Sequence, residues 1–545
     1  MPGMSRLPRS LFLIGAFGAG LAFLQCGGES DRTFTDDVDG GEVPPPFTPG
    51  LGDGAADAPK PVIDKCKVPV DELNGGGLEC TKSAPPNSFK PVTKWTWTEP
   101  MPAPSSQQGS IVTPLVGNFT DDNGDGKVDL CDTPDVLITV WNPGSIYMLA
   151  GNDGRVEAVI DNIDGNITPA FGDLDNDGVP EIVANDRQGH VVVYDNLGKL
   201  KWTGPDVGKY KANFNSYCHA IAIYDLDGDG TPEIIAGFEV FDAKGKSKFF
   251  HDVTSFQGSY WCPANTAADL DGDGKLEVIF GNSAYHADGS VYWTIPGPPG
   301  QPQVANLDAD PQPEIFVARN DGILVLEHDG KIKYGPINLT GEATSANCWS
   351  KPGAVTDFDG DGIADISAST CTKYGAYKVG LTGLSLIWSA PVDDNSGLAS
   401  STAFDFLGGG TAQAVYGDQS KLYVFDGKTG QVRLNASRAS GTLIEYPVVA
   451  DVDNDQSADI IVVSNGNGGV GTYKHTVEVL QDETKRWIPT RRVWNQHAYH
   501  VTNVREDGTI PKVMAKSWQR LNTFRVNAQI EGGGDCAPPP SNPPK

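Results

Sequence analysis

The sequence predicts an all-β chain, an eight-bladed β-propeller of four-stranded antiparallel blades, and three observations lead there. A nine-residue acidic segment is written eight times, most fully as Asp173-Leu-Asp-Asn-Asp-Gly-Val-Pro-Glu181 and Asp225-Leu-Asp-Gly-Asp-Gly-Thr-Pro-Glu233. Its first positions fall at 121, 173, 225, 269, 306, 357, 405 and 451, a spacing that suits one four-stranded blade per copy. The residues between copies form short apolar and β-branched runs separated by Gly turns, as in His190-Val-Val-Val-Tyr194 and Gly198, which is strand rather than helix chemistry. Seven blades are the alternative if one hairpin is not a full blade.

In the fullest segments, oxygen-bearing side chains occupy positions 1, 3, 5 and 9, with Gly at 6. Calcium is a hard cation that takes six to eight oxygens, and a sharp Gly turn lets a backbone carbonyl join the side chains. An EF-hand loop would need its last acid at position 12 and a helix on each side; here the last acid comes at 9 and the flanks are β-rich. The expected metal ligands are Asp173, Asp175, Asp177 and Glu181; Asp225, Asp227, Asp229 and Glu233; Asp269, Asp271, Asp273 and Glu277; Asp357, Asp359, Asp361 and Asp365. The first copy adds Asp121, Asn123, Asp125 and Asp129. The eighth adds Asp451, Asp453, Asp455 and Asp459, with Gln456 in place of Gly. In the fifth copy (Asn306, Asp308, Asp310, Glu314), Pro311 stands where Gly is expected and cannot take a positive φ. The seventh, Asp405 to Gln413, has lost its inner acids and reads as a plain turn. Plain Asp-Gly hairpins are the competing explanation, but a hairpin does not need three spaced acids and a fourth downstream.

Blade 2 shows the parts: a strand entering the loop, then Glu181–Ala184, His190–Tyr194 and Lys199–Trp202. The segment Pro91-Val-Thr-Lys-Trp-Thr-Trp97 reads as a fourth strand with no blade before it. It is expected to complete the last blade and so close the ring, leaving no open sheet edge.

These loops and their flanking strands resemble FG-GAP/VCBS-type repeats, the calcium-binding propeller repeats of integrin α-subunits and many bacterial surface proteins. The resemblance covers residues 90–485. It implies fold and metal, and leaves the ligand open, because the superfamily holds adhesins, lectin-like binders and lyases.

Residues 1–26 form an export signal: Arg6 and Arg9, the apolar run Leu11 to Leu24, then Cys26 followed by Gly27-Gly28, which resembles a bacterial lipoprotein site. Simple signal cleavage is the alternative. Residues 27–62 are a Gly-, Pro- and Asp-rich tether expected to be disordered, 63–88 a small Cys-containing segment, and 89–485 the propeller. Residues 486–530 are an ordered strap across it, and 531–545 a disordered tail. Nine cysteines less a lipidated Cys26 leave an even number, which in an exported chain suggests disulfides. The expected pairs are Cys348–Cys371 across one hairpin, Cys218–Cys262 between adjacent blades, Cys66–Cys80, and by elimination Cys131–Cys536. No Cys-x-x-Cys spacing supports zinc.

A net charge of −29 argues against nucleic acid as a partner. The chain has no Gly-x-Ser-x-Gly, no phosphate loop and no His-Glu-x-x-His. The run Phe425 to Arg433 resembles a quinoprotein turn and reads as an ordinary hairpin. Tyr217, Tyr260, Trp261 and Trp349 hold matching places before loops 3, 4 and 6; they suit sugar stacking or peptide grip, against rim packing as the simpler role. His219, beside Cys218 and ahead of an inner strand, has a place from which it could face the axial mouth, and a satisfied structural histidine is the favoured role over a functional one. His497 and His500, in the strap, suit structural hydrogen bonding better than metal binding. The functional expectation is an exported protein of the outer membrane or cell surface, held there by its lipid only, or otherwise secreted. It would be a calcium-stabilised binding or adhesion module for a polysaccharide or protein ligand. A polysaccharide lyase-like enzyme and a purely structural envelope component are the alternatives.

Overall fold

Each acidic loop turns one strand back on the next, and the same meander is repeated around a ring. The computed structural model describes residues 79–100, 105–206, 218–252, 262–339, 351–394, 399–467, 473–531 and 534–536, apart from positions 86, 338 and 381, together with Cys66 and Thr33–Phe34. The expected leader, most of the expected tether and the end of the expected tail lie outside those residues. Eight four-stranded antiparallel sheets follow in order, spanning 115–161, 170–206, 219–250, 266–294, 301–337, 351–391, 401–437 and 448–482, the last completed from the N-terminus. The chain is an eight-bladed propeller, and the seven-bladed alternative falls. Blade 2 runs Ala170–Gly172, Glu181–Asn185, His190–Tyr194 and Leu200–Asp206, as its pattern of turns predicts. Ile167–Thr168 adds in parallel to blade 3, and Thr33–Phe34 pairs with Leu434 and Asn435 on the outer strand of blade 7.

Pro91–Trp97 is the outer strand of blade 8, in antiparallel register with Val477–Asp482 from Pro91↔Asp482 to Trp97↔Val477. Ring closure is therefore made by segments 380 or more residues apart in the chain. Blades adhere through apolar clusters between their faces. One joins Val448, Ile461 and Val479 of blade 8 to Val136 and Met148 of blade 1 and Ile182 of blade 2. A recurrent lock reinforces them at the rim. An apolar side chain of one fourth strand lies over a Gly in the outer turn of the next blade: Trp95 on Gly154, Trp202 on Gly245, Phe249 on Gly289, Trp293 on Gly330, Trp388 on Gly430. Each of these glycines has positive φ, and a Cβ there would lie 2.6–2.8 Å from the ring. Only Gly meets both conditions.

The C-terminal strap is more than a cover. Inner strands of a propeller leave an unpaired edge at the axis, and buried backbone groups need partners. The strap supplies them along the inner strands of blades 1, 2, 3, 6 and 8, and in blade 7 accepts a bond from a side chain. Val116 exchanges both backbone hydrogen bonds with Trp494, and Val355 does so with Phe524. Phe171 N–H donates to Asn495 O, and Ile223 N–H to Gln496 Oε1 at 2.8 Å. Thr402 Oγ1 donates to Arg525 O, and Asn527 Nδ2 to Val449 O. Arg491 and Arg525 are fully buried; Arg491 donates to the carbonyls of Val501 and Val504, and Arg525 to that of Pro352.

Two disulfide expectations are corrected. The bonds are Cys66–Cys131, Cys80–Cys536 and Cys218–Cys262, so Cys66–Cys80 and Cys131–Cys536 do not form. The segment around Cys80 lies along the end of the strap, where Thr81 donates to Glu531. That brings Cys80 to Cys536 and leaves Cys66 for the first loop. Cys218–Cys262 bridges blades 3 and 4 as expected. Cys371 is disulfide-bonded, and its expected partner Cys348 lies outside the described residues. Among the described residues no helix is long and apolar enough to cross a membrane.

Candidate metal-binding loops

The loops share one hydrogen-bond scheme. The position 1 carboxylate caps the turn: Asp225 accepts N–H groups from Gly228, Asp229 and Gly230 at 2.9, 3.1 and 2.7 Å, and Asp357 does the same for Gly360, Asp361 and Gly362. The position 5 acid accepts from position 7, as in Asp177 with Val179 and Asp229 with Thr231. The position 9 acid folds back to the N–H of position 2, as in Glu181 with Leu174, Glu233 with Leu226 and Glu277 with Leu270, each at 2.8 Å. The carboxylates are thus fixed by the backbone, and their oxygens converge. Metal-sized groups form at Asp173, Asp175 and Glu181, at Asp225, Asp227 and Asp229, and at Asp269, Asp271 and Asp273. An all-oxygen donor set of this kind fits a hard divalent cation. Burial pushes several of these acids up: Glu277 to about 7, Asp365 to about 7 with Asp359 beside it, and Asp451 to about 7 with Asp455 beside it.

Positions 4 and 6 take positive φ in seven loops, including Gly228 and Gly230 at 71° and 95°. In loop 8 the same path is followed by Asn454 and Gln456, at 57° and 68°. Loop 5 is the exception: neither Ala309 nor Pro311 has positive φ, and the Asn306 amide turns instead to Asp310 O. Loop 7 keeps the shape without the acids. Asp405 accepts from Gly410 at 2.6 Å, and Gln413 receives the Phe406 N–H.

Blade 1 is built differently. Its first strand ends at Gly117, which pairs with Asp135 just as Gly172 pairs with Glu181. Asp135 accepts the Phe119 N–H at 2.9 Å, so it is the counterpart of Glu181. The Asp121–Asp129 segment sits inside this enlarged connection, with Asp121 capping Gly124, Asp125 and Gly126. Asp132 braces it by accepting from Asn123 and Asp129. Asp132 falls at position 12 counted from Asp121, the place of the last acid in an EF-hand loop. Burial beside Glu157 pushes Asp135 up to about 9.

Sequence reading missed a cation that reaches these acids from the fourth strand. Lys201 Nζ lies 2.6 Å from Asp175 and 2.7 Å from Glu181; Lys248 lies 3.1 Å from Asp227 and 2.6 Å from Glu233. Lys333 pairs with Asp308 and Glu314, and Lys94 with Asp453 and Asp459; in blade 6 the cation comes instead from the third strand, Lys373–Gly380, where Lys378 pairs with Asp359 and Asp361. Blade 4 has His286 near Glu277 at 3.0 Å, and the strap's Lys516 near Asp269 at 3.1 Å. The signal was present as Lys directly before an aromatic in Lys94-Trp95, Lys201-Trp202, Lys248-Phe249 and Lys333-Tyr334.

The other candidates take structural roles. His219 Nε2 pairs with Asn185 Oδ1 at 3.0 Å, and burial lowers it to about 4. His497 contacts Ile444 O and Arg525, and His500 pairs with Thr502. The Phe425–Arg433 stretch is an outer hairpin closed by Arg433 and Asp426 at 2.8 Å. Tyr217, Tyr260, Trp261 and Trp349 lie outside the described residues.

Comparison with known proteins agrees with this geometry. Residues 173–236, which hold loops 2 and 3, match the model of the FG-GAP-like repeat family. No curated protein matches the sequence significantly. Among solved structures, the V. cholerae biofilm matrix protein Bap1 superposes with a TM-score of 0.66 at 23% identity, covering 82% of this chain and 100% of that one. The Bacillus licheniformis rhamnogalacturonan lyase PL11 gives 0.49 at 16% identity over 82% and 83% of the two chains. Rhamnogalacturonan lyase YesW gives 0.49 at 17% identity over 83% and 82%. What the Bap1 likeness establishes is the propeller fold.

Proposed function

We propose that this chain is an extracellular, calcium-stabilised propeller that works as a binding or adhesion module, anchored at the cell surface through a lipidated Cys26. The observation that carries the reading is the division between the two faces of the ring. On one face the acidic loops, the fourth-strand cations and the strap are tied to one another, so that face is spent on holding the ring together. The connections between blades emerge on the other, where a ligand would meet a rigid support. The disulfides support an oxidising compartment, and the fold shared with a biofilm matrix protein supports a role outside the cell. Calcium is the proposed ion of loops 1–4, 6 and 8. It would neutralise acids that burial disfavours as charged groups, and the ligand class is a polysaccharide or protein.

The test pairs a glycan array and a biofilm-adherence assay with an assay for unsaturated sugar products. Binding or adherence without turnover is the expected result. Product release from a pectic substrate would replace the reading with a lyase. Silence in all three would overturn it in favour of a structural envelope role. Loss of palmitate labelling in Cys26→Ala checks the anchor.

A further inference from the structure

Away from the acidic loops, a cavity of 260 Å³ opens between blades 1 and 2. It is lined by Gln107, Trp141, Asn142, Asp164, Asn166 and Arg187, among others. Three connections build it: the turn after Asp135–Val140, the link from blade 1 to blade 2, and the turn after Glu181–Asn185. They are locked together by backbone. Ile163 N–H donates to Gly144 O at 2.9 Å, Asp164 N–H to Asn185 O at 2.8 Å, and Arg187 N–H to Asn162 O at 3.3 Å. Trp141 N–H donates to Gly109 O at 2.9 Å. The walls are so close that a Cβ at Gly165 would lie 2.5 Å from Trp141 O, and one at Gly144 2.1 Å from Ile163 O. The cavity is therefore preformed, which lowers the entropic cost of occupying it.

Its chemistry is specific. Trp141 is half-buried, packed behind against the cluster of Ile111, Val112 and Ile444. The polar groups are planar and already oriented. Asp164 Oδ1 accepts both the backbone N–H and the side-chain amide of Asn166, at 3.1 and 2.8 Å, and Asn142 Nδ2 donates to Gln107 Oε1 at 3.0 Å. Arg187 is exposed at the rim, and its guanidinium has no partner among the described residues. One arginine balanced by one aspartate is too little positive charge for a phosphate-rich ligand. A mostly polar lining around one aromatic does not suit an apolar peptide anchor. A pyranose ring presents what the cavity lacks: an apolar C–H face for an aromatic, and hydroxyls that both donate and accept. The volume lies just below the roughly 300 Å³ at which pockets for drug-sized ligands begin, so the fit is to a single sugar residue.

We propose that this cavity is a saccharide subsite that takes one pyranose residue of a glycan, with Trp141 as the platform and Asp164, Asn166 and Arg187 on its hydroxyls. The proposal rests on the binding reading above and narrows its ligand. The test is an array of neutral and uronic-acid oligosaccharides, followed by calorimetry on the strongest hit with wild type, Trp141→Ala and the double variant Asn166→Ala/Arg187→Ala. Because Trp141 also packs, the double variant carries the decision, with its melting temperature confirmed to be that of wild type. Expected is at least tenfold weaker binding in both variants. Wild-type glycan binding that the double variant retains within twofold overturns the subsite and leaves the binding reading intact. An array silent for wild type while biofilm adherence persists also overturns the subsite alone; loss of both overturns the two together.

Discussion

The indole N–H of Trp95 donates to the carbonyl oxygen of Gly151 at 2.7 Å, and through that bond the strand that completes blade 8 is fastened to blade 1. The same ring lies against Gly154 in the outer turn of blade 1. Closure thus depends on one side chain that is packed and hydrogen-bonded at once. Trp95→Phe keeps most of the packing and should cost about 1 kcal/mol, the net worth of one hydrogen bond. Trp95→Ala should cost about 3–5 kcal/mol. Urea denaturation measures both, and equal effects would show that the hydrogen bond, rather than packing, holds the seam.

Calcium removal should lower the melting temperature. Extracellular calcium modules bind in the range of about 10⁻⁴–10⁻³ M, and at tenfold saturation one site contributes about 1.4 kcal/mol. The fourth-strand lysines bear on how much of that is visible, because each supplies part of the counter-charge its loop needs. Lys201→Met should therefore be worse tolerated in chelator than in millimolar calcium, by about 1 kcal/mol for a partly exposed pair. Melts in both conditions decide it: the same loss in each would mean that lysine and ion do not share the charge of loop 2.

The ring and the loops were legible because both are local and repeated. The spacing of Asp173, Asp175, Asp177 and Glu181 carries its own turn geometry, and Trp97 stands ahead of the first motif much as Trp202 stands ahead of the third. What escaped is long-range. Nothing in the sequence near Trp494 or Phe524 says that their backbones pair with Val116 and Val355, because the need is set by inner-strand edges that exist only once the ring has closed. The pairing of Cys80 with Cys536 follows from the same strap. The offset in blade 1 was hidden because Asp121–Asp129 imitates the motif, while Asp135 performs the fold-back that Glu181 performs in blade 2.

Buried histidines in the strap set an acid limit. Burial lowers His500 to about 3 and His497 well below its ordinary value, where Arg525 also opposes protonation. The unfolded chain takes up these protons below about pH 6.5, and the folded chain does not. The contribution of His500 is complete above pH 6.5 and is lost as pH falls toward 3, by about 1.4 kcal/mol per pH unit. His500→Gln, though less stable at pH 7, should show a shallower fall in stability between pH 6 and 4. Acidic loops titrate alike in both proteins, so the difference in slope isolates His500, and parallel curves would refute the assignment.

Loop 8 offers a gain rather than a loss. Gln456 is exposed and holds a φ of 68°, a left-handed conformation that costs a side-chain-bearing residue about 1–2 kcal/mol. It is held there because its N–H donates to Asp451 at 2.9 Å, the same cap that Gly230 makes to Asp225 in loop 3. Glycine adopts this conformation freely but gives up more entropy on folding, by about 0.5–1 kcal/mol. The side chain buries nothing that must be surrendered. Gln456→Gly should therefore raise stability by up to about 1 kcal/mol, and it should also tighten calcium at loop 8, since the turn that aims Asp451 and Asp455 would no longer be strained. Denaturation in chelator reads the first effect and calcium titration the second. A drop in stability would mean that Gln456 makes a contribution beyond its backbone hydrogen bond.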